Sequence, residues 1–186
     1  SIENIENIKS GAGNDILTGS DLNNTIFAEA GNDTIVGGKG DDYLDGGVGN
    51  DTVDYTYVTS GVGVNINLSL NTAFDMYLDI EKQVGNDQVF NIENVKGTAY
   101  NDSMVGDAQN NLLEGNAGND YIDGGVGDDT LRGGTGNDTL RGGVGNDILD
   151  GGDGIDIVDY SNVENEDLII DLNSQGEKTV SISQGK

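Results

Sequence analysis

The pattern GGxGxDxUx, with U a large aliphatic residue, recurs every nine residues and confines this chain to repeat architectures. It is matched in full in six windows: 37–45, 46–54, 124–132, 133–141, 142–150 and 151–159. Near matches extend both runs upstream without a gap. SGAGNDILT (10–18), GSDLNNTIF (19–27) and AEAGNDTIV (28–36) precede the first pair. GTAYNDSMV (97–105), GDAQNNLLE (106–114) and GNAGNDYID (115–123) precede the second run. The chain thus carries five contiguous units in 10–54 and seven in 97–159.

A longer duplication lies over the short one. NIENIKSGAGND (4–15) parallels NIENVKGTAYND (91–102), and both runs carry Asn for Asp in their second unit, at Asn24 and Asn111. DTVDY (51–55) and DIVDY (156–160) close the two runs, each followed by an aliphatic-rich strand candidate, VNINL (64–68) and LIIDL (168–172). Four segments follow: a first repeat block over 1–54, a connecting and capping β segment over 55–90, a longer repeat block over 91–160, and an exit strand and tail over 161–186.

Positions 1, 2 and 4 of the unit are mostly glycine, which serves tight turns needing positive φ or close backbone approach. Positions 7 to 9 alternate out, in, out, so each unit offers a three-residue strand with one buried aliphatic. That series is Leu17, Ile26, Ile35, Leu44, Val53, Met104, Leu113, Ile122, Leu131, Leu140, Leu149 and Val158. Two units make a coil of eighteen residues. The expected fold is all-β, a parallel β-roll in two stacked blocks with flanking capping strands.

A thin core of two aliphatics per coil is a weak driving force against the entropy of ordering eighteen residues. Charge adds to the difficulty: 34 acidic residues against 8 basic ones leave a formal charge of −26. Such a balance with few aromatics reads as disordered unless a regular repeat organises it. It also argues against nucleic acid, which needs a basic face, and against an anionic membrane surface. Without Cys or His the chain has no disulfide, thiolate or imidazole chemistry. Absence of Pro fits a chain whose N–H groups serve ladders. No apolar run reaches membrane-spanning length. Ser1 in place of Met suggests a piece of a larger protein.

In a stacked coil each unit lies one strand spacing, about 4.8 Å, from the unit two further on. The position-6 side chains then form columns: Asp15/Asp33/Asp51 and Asn24/Asp42 in the first run, Asp102/Asp120/Asp138/Asp156 and Asn111/Asp129/Asp147 in the second. Bare, these columns repel. A hard divalent cation between coils reverses that, and calcium accepts six to eight carboxylate and carbonyl oxygens in flexible geometry where magnesium demands an octahedron. Glycine-rich turns expose their carbonyls alternately up and down, so positions 1 and 3 are expected to serve one ion and positions 2 and 4 the next. The candidate carbonyls are those of Gly37, Gly38, Gly40, Gly46, Gly47 and Gly49 in the first run. In the second run they are Gly115, Gly118, Gly124, Gly125, Gly127, Gly133, Gly134, Gly136, Gly142, Gly143, Gly145, Gly151, Gly152 and Gly154. Pairing within each run predicts about eight calcium ions, which offset 16 of the 26 negative charges. Sites beside Asn24 and Asn111 are expected to be weaker, and the Asp33/Asp51 site tighter than the Asn24/Asp42 site.

These nonapeptides resemble the repeats-in-toxin (RTX) family of hemolysin-type calcium-binding repeats. The resemblance covers 10–54 and 97–159 in register, and NIENVKG resembles the connectors between such blocks. It implies calcium-filled parallel β-rolls, export through type I secretion machinery, and folding outside the cell on meeting calcium. The leading expectation is a non-catalytic structural module of a secreted or cell-surface adhesin or toxin. The alternatives are an accessory domain of a secreted protease, lipase or polysaccharide epimerase, and an ice-binding surface carried by the regular Asn at position 5. Outside the columns, Asp87 is read as a turn residue, Tyr55 and Tyr160 as caps on the open ends of the core, and Glu6 and Glu93 as surface charge or terminal ligands. The alternating stretch 62–70 is read as a strand shielding the end of the first stack.

Overall fold

The computed structural model describes residues 5–59, 61–76 and 83–161, and the backbone of 178–181. The expected exit strand at 168–172 and most of the tail lie outside the described residues. The entry segment forms β1 (Asn7–Lys9), and the first run then places one short strand per nonapeptide: β2 (Ile16–Thr18), β3 (Thr25–Phe27), β4 (Thr34–Val36), β5 (Tyr43–Asp45) and β6 (Thr52–Asp54). Odd strands pair with odd and even with even, all parallel. Ile26 sits against Leu44 in one sheet and Leu17 against Ile35 in the other, both eighteen residues apart. The eighteen-residue coil read from the nonapeptide is therefore the repeat of the fold.

The connecting segment builds β7 (Val64–Asn67), β8 (Thr72–Asp75) and β9 (Asn86–Phe90). The second run follows with β10 (Asn94–Lys96), β11 (Ser103–Val105), β12 (Leu112–Ala117), β13 (Tyr121–Val126), β14 (Thr130–Thr135), β15 (Thr139–Val144), β16 (Asn146–Asp153) and β17 (Ile157–Val158), and β18 (Lys178–Ser181) lies antiparallel on β16. Strands β12 to β15 are six residues long, not three. The ladder resumes beyond the bend, pairing Asn116 with Gly134 and Gly125 with Gly143, so the glycine arms of the turns also belong to the sheets.

The two runs are one continuous solenoid. In the eight-stranded sheet β6 pairs directly with β10, Val53 against Val95, and β10 with β12. In the ten-stranded sheet three strands intervene, in the order β5-β9-β8-β7-β11. This corrects the reading of 62–70. Its strand covers only 64–67 and pairs parallel with β11 at the base of the second run, while β9 covers the first. The alternation ends because Leu68–Leu70 forms a 3-10 turn, closed by Asn67 accepting the Leu70 N–H and by Asn71 at φ 56°. Asn tolerates that left-handed conformation better than most residues.

Position 8 fills the interior as expected. Ile26, Ile35, Leu44, Val53, Met104, Leu113, Ile122, Leu131, Leu140 and Leu149 are all buried, and within the connecting segment Ile66, Ala73 and Val89 are buried in the same core. Only the terminal members, Leu17 and Val158, lose cover. Tyr55 does not cap an open end. It is wholly buried at the junction of the two runs, whereas Tyr160 packs at the far end of the core. In calcium, Leu131→Ala is expected to cost about 2–5 kcal/mol by opening a cavity, and Ile16→Ala, on an exposed strand face, less than about 0.5 kcal/mol. Denaturant unfolding of the two variants checks this.

Candidate metal centre

Each position-6 carboxylate after Asp15 is held by the coil before it. Asp33 Oδ1 accepts the Asp15 N–H at 2.7 Å, and Asp51 Oδ1 accepts the Asp33 N–H at 2.8 Å. The same bond joins Asn24 to Asp42, Asp102 to Asp120, Asn111 to Asp129, Asp120 to Asp138, Asp129 to Asp147 and Asp138 to Asp156, at 2.7–3.0 Å. One oxygen of each carboxylate thus ties the stack together. The other is left over: Oδ2 of Asp33, Asp42, Asp51, Asp120, Asp129 and Asp138 is buried with no hydrogen-bond partner. Asp15 and Asp156, at the two ends, are half-buried.

Position-1 glycines shape the space in front of those free oxygens, except at Asp33, where position 1 is Ala28. A Cβ built on Gly115 would collide with Asp120 Oδ2 and approach the Gly133 carbonyl oxygen to 2.6 Å. Gly124 repeats this with Asp129 Oδ2 and the Gly142 carbonyl, and Gly133 with Asp138 Oδ2 and the Gly151 carbonyl. Carbonyl direction alternates through the turn. Those of positions 2 and 4 face the next coil, as Gly125 does toward Gly143 and Gly127 toward Gly145. Those of position 3 face back, so Gly118 N–H donates to the Thr135 carbonyl and Gly127 N–H to that of Val144.

Among the described residues no three acidic side chains converge on one point. A cation held between coils here would have to take most of its oxygens from backbone carbonyls. Paired hard oxygens, one of them an unpartnered buried carboxylate oxygen, suit calcium in number and chemistry. Bound there, the ion supplies positive charge and coordination for orphaned oxygens. The chain's own part is to present carboxylate and carbonyl at one strand spacing and to hold side chains away.

Burial pushes the column carboxyls up from 3.8: Asp120 to about 7, and Asp42, Asp102 and Asp129 to about 6. Neighbouring carboxylates raise Asp120 and Asp129 further, against the lowering effect of the accepted N–H bond.

Several predicted ligands sit in other arrangements. At Asp102 both oxygens have donors: Val64 N–H and the Thr98 hydroxyl at Oδ1, and Thr98 N–H at Oδ2. Asn24 and Asn111 turn their amides inward. Their Oδ1 atoms accept the N–H of Ser20 and Asp107, and their Nδ2 groups donate to the Glu6 and Glu93 carbonyls. These coils close on themselves through protein hydrogen bonds.

Two residues outside the predicted columns belong to them. Asp87 is no solvated turn residue. It is buried, Oδ1 accepts the Asp42 N–H at 3.0 Å, Oδ2 accepts the Tyr55 hydroxyl at 3.0 Å, and burial raises its pKa to about 8. Glu93 Oε2 accepts the Asp51 N–H at 2.8 Å. The signal for Glu93 was present: it stands nine residues before Asp102, with Val95 at position 8. Asp87 hides because it precedes Glu93 by six residues, the turn at 91–93 being three residues short. Glu6, the counterpart of Glu93, is exposed.

The profile of the RTX calcium-binding nonapeptide repeat matches four segments, residues 3–21, 18–53, 96–131 and 123–158, together well over half of the chain. The chain belongs to the RTX calcium-binding repeat family. Its calcium-binding β-roll is thereby a family property as well as a geometric one. Among curated proteins none matches the chain. Among the described residues no helix is long and apolar enough to cross a membrane. The position-5 side chains of this RTX roll are structural: Asn14, Asn32, Asn119 and Asn137 Oδ1 accept the N–H groups of Asn32, Asn50, Asn137 and Ile155 in the coil above. Their oxygens are engaged within the stack, which disfavours a free ice-binding array.

The raised carboxyl pKa values give the calcium-free roll a definite pH dependence. A folded pKa above the unfolded one means that the fold binds more protons, so stability present below about 4 is lost as pH rises through about 6 to 7. With calcium removed, circular dichroism is expected to show β-structure growing as pH falls from about 7 toward about 4. In saturating calcium, Asp87→Ala is expected to cost about 1–3 kcal/mol by orphaning the Tyr55 hydroxyl. Tyr55→Phe added to Asp87→Ala then costs little more, which a double-mutant cycle in urea measures.

Proposed function

We propose that this chain is a calcium-triggered folding module of a larger exported protein, an adhesin or toxin delivered by type I secretion machinery to the bacterial surface or surroundings. The observation that carries this reading is the set of buried, unpartnered Oδ2 atoms in columns of like charge. Without cations, the columns oppose the coil at neutral pH, and the −26 charge keeps the chain expanded. Outside, at the calcium concentrations that extracellular modules bind, about 10⁻⁴–10⁻³ M, the same carboxylates become ligands and the coils order. Export then precedes folding, and folding outside opposes return. The ligands are Asp33, Asp42, Asp51, Asp120, Asp129, Asp138, Asp147 and Asp156 with the position-1 to position-4 carbonyls around them. The module works by holding shape rather than by catalysis, since its carboxylates serve the ion columns. A role as the accessory domain of a secreted enzyme uses the same switch and differs only in what the parent carries.

Far-UV circular dichroism during a calcium titration tests the switch. The chain is expected to be largely unfolded in chelator at neutral pH, to gain β-structure cooperatively with calcium, and to respond weakly to magnesium. Complete β-structure in chelator at that pH overturns the proposal.

A further inference from the structure

The junction between the two runs holds a donor set that pairing within each run leaves uncounted. In that pairing Asp51 is the last member of its column. Yet Asp51 is 0% exposed and its Oδ2 has no partner, while Oδ1 accepts the Asp33 N–H. The next coil on that side arrives through the short turn at 91–93. It sets the Glu93 carboxylate on the Asp51 amide, where a nonapeptide would set an aspartate. Asn91 holds φ 52°, and its carbonyl oxygen lies over Gly46. A Cβ on Gly46 would come closer to the Asn91 oxygen and to the Asp51 carboxyl carbon than real Cβ contacts allow. That is the arrangement of Gly115 with Asp120 and the Gly133 carbonyl, rebuilt from a different segment.

In the neighbouring gap, beyond Asp42, whose Oδ2 is also unpartnered, the facing groups carry proton donors. The Tyr57 hydroxyl donates to the Gly38 carbonyl at 2.6 Å and the Tyr55 hydroxyl to Asp87. Beyond Asp51, whose Oδ2 is likewise free, no tyrosine takes that part: Glu93 accepts the Asp51 N–H and, at 3.5 Å, the Gln109 side-chain amide. Two buried carboxylates joined through one amide, one of them with a free oxygen, are costly as anions without a cation between them.

We infer that Asp51, Glu93 and the Asn91 carbonyl hold a further divalent cation, calcium, that ties the first run to the second. This rests on the calcium reading above, and it adds an ion to those within the runs.

Native mass spectrometry in calcium counts the ions, and thermal unfolding in calcium reports coupling between the runs. Glu93→Gln and Gly46→Ala are each expected to bind one ion fewer than the wild type, and the double variant no fewer than either alone. Unfolding is expected to separate into two transitions. Glu114→Gln, on the outer face in an ion pair with Arg132, controls for loss of charge and keeps the full count. A wild-type count in both single variants overturns the inference, as does loss of a second ion in the double. Should Glu93→Gln fail to fold, the count in Gly46→Ala decides by the same criterion. A wild type that binds no calcium at all instead sinks the functional reading.

Discussion

The whole structure depends on columns of carboxylates stacked at one strand spacing and withdrawn from water. Like charges about 4.8 Å apart in a partly dry environment repel strongly. The raised pKa values of Asp120 and Asp129 express the cost of that withdrawal first and of repulsion second, and that of Asp42 chiefly the withdrawal. Every other feature follows from tolerating it. Glycine at position 1 keeps the space before the free oxygens of Asp42, Asp51, Asp120, Asp129 and Asp138 clear, and the turn carbonyls aim at neighbouring coils. On the calcium reading proposed above, the ion shares the task of holding the turns with a thin aliphatic layer.

Each carboxylate divides its two oxygens between two tasks. Oδ1 accepts an N–H from the preceding coil, which sets the register of the stack independently of any ion. Oδ2 is left without a protein donor in Asp33, Asp42, Asp51, Asp120, Asp129 and Asp138. Side-chain geometry is therefore preorganised by the protein, and the ion supplies what protein donors do not. The exceptions confirm this division. At Asp102 the Thr98 amide reaches Oδ2, and at Asn24 and Asn111 an amide replaces the carboxylate and donates to a carbonyl.

The coil period, the buried series and the aspartate columns were legible in the sequence because a strict nonapeptide leaves one way to stack. The eighteen-residue pairing of Leu17 with Ile35 and of Ile122 with Leu140 follows directly from it. The junction was not legible. A turn three residues short throws Asp87 out of phase, and only pairing in three dimensions shows that it continues the column of Asp42. Tyr55 looked like an end cap for the same reason: its acceptor, Asp87, lies 32 residues away. The six-residue strands of the second run were missed because glycine was assigned to turns alone, whereas here it also pairs.

Self-closing coils occupy the same place in both runs. Asn24 and Asn111 each stand in the second nonapeptide, and each donates to the carbonyl of the glutamate in the preceding NIEN segment. In the second run Asp102 is also fully satisfied by protein donors. Coils of this kind lose least when calcium is absent, since no free carboxylate oxygen is buried in them. The coils that follow, with Asp120, Asp129 and Asp138, bury one each. Unpartnered buried carboxylate oxygens therefore begin, in the second run, only after the coils next to its NIEN segment.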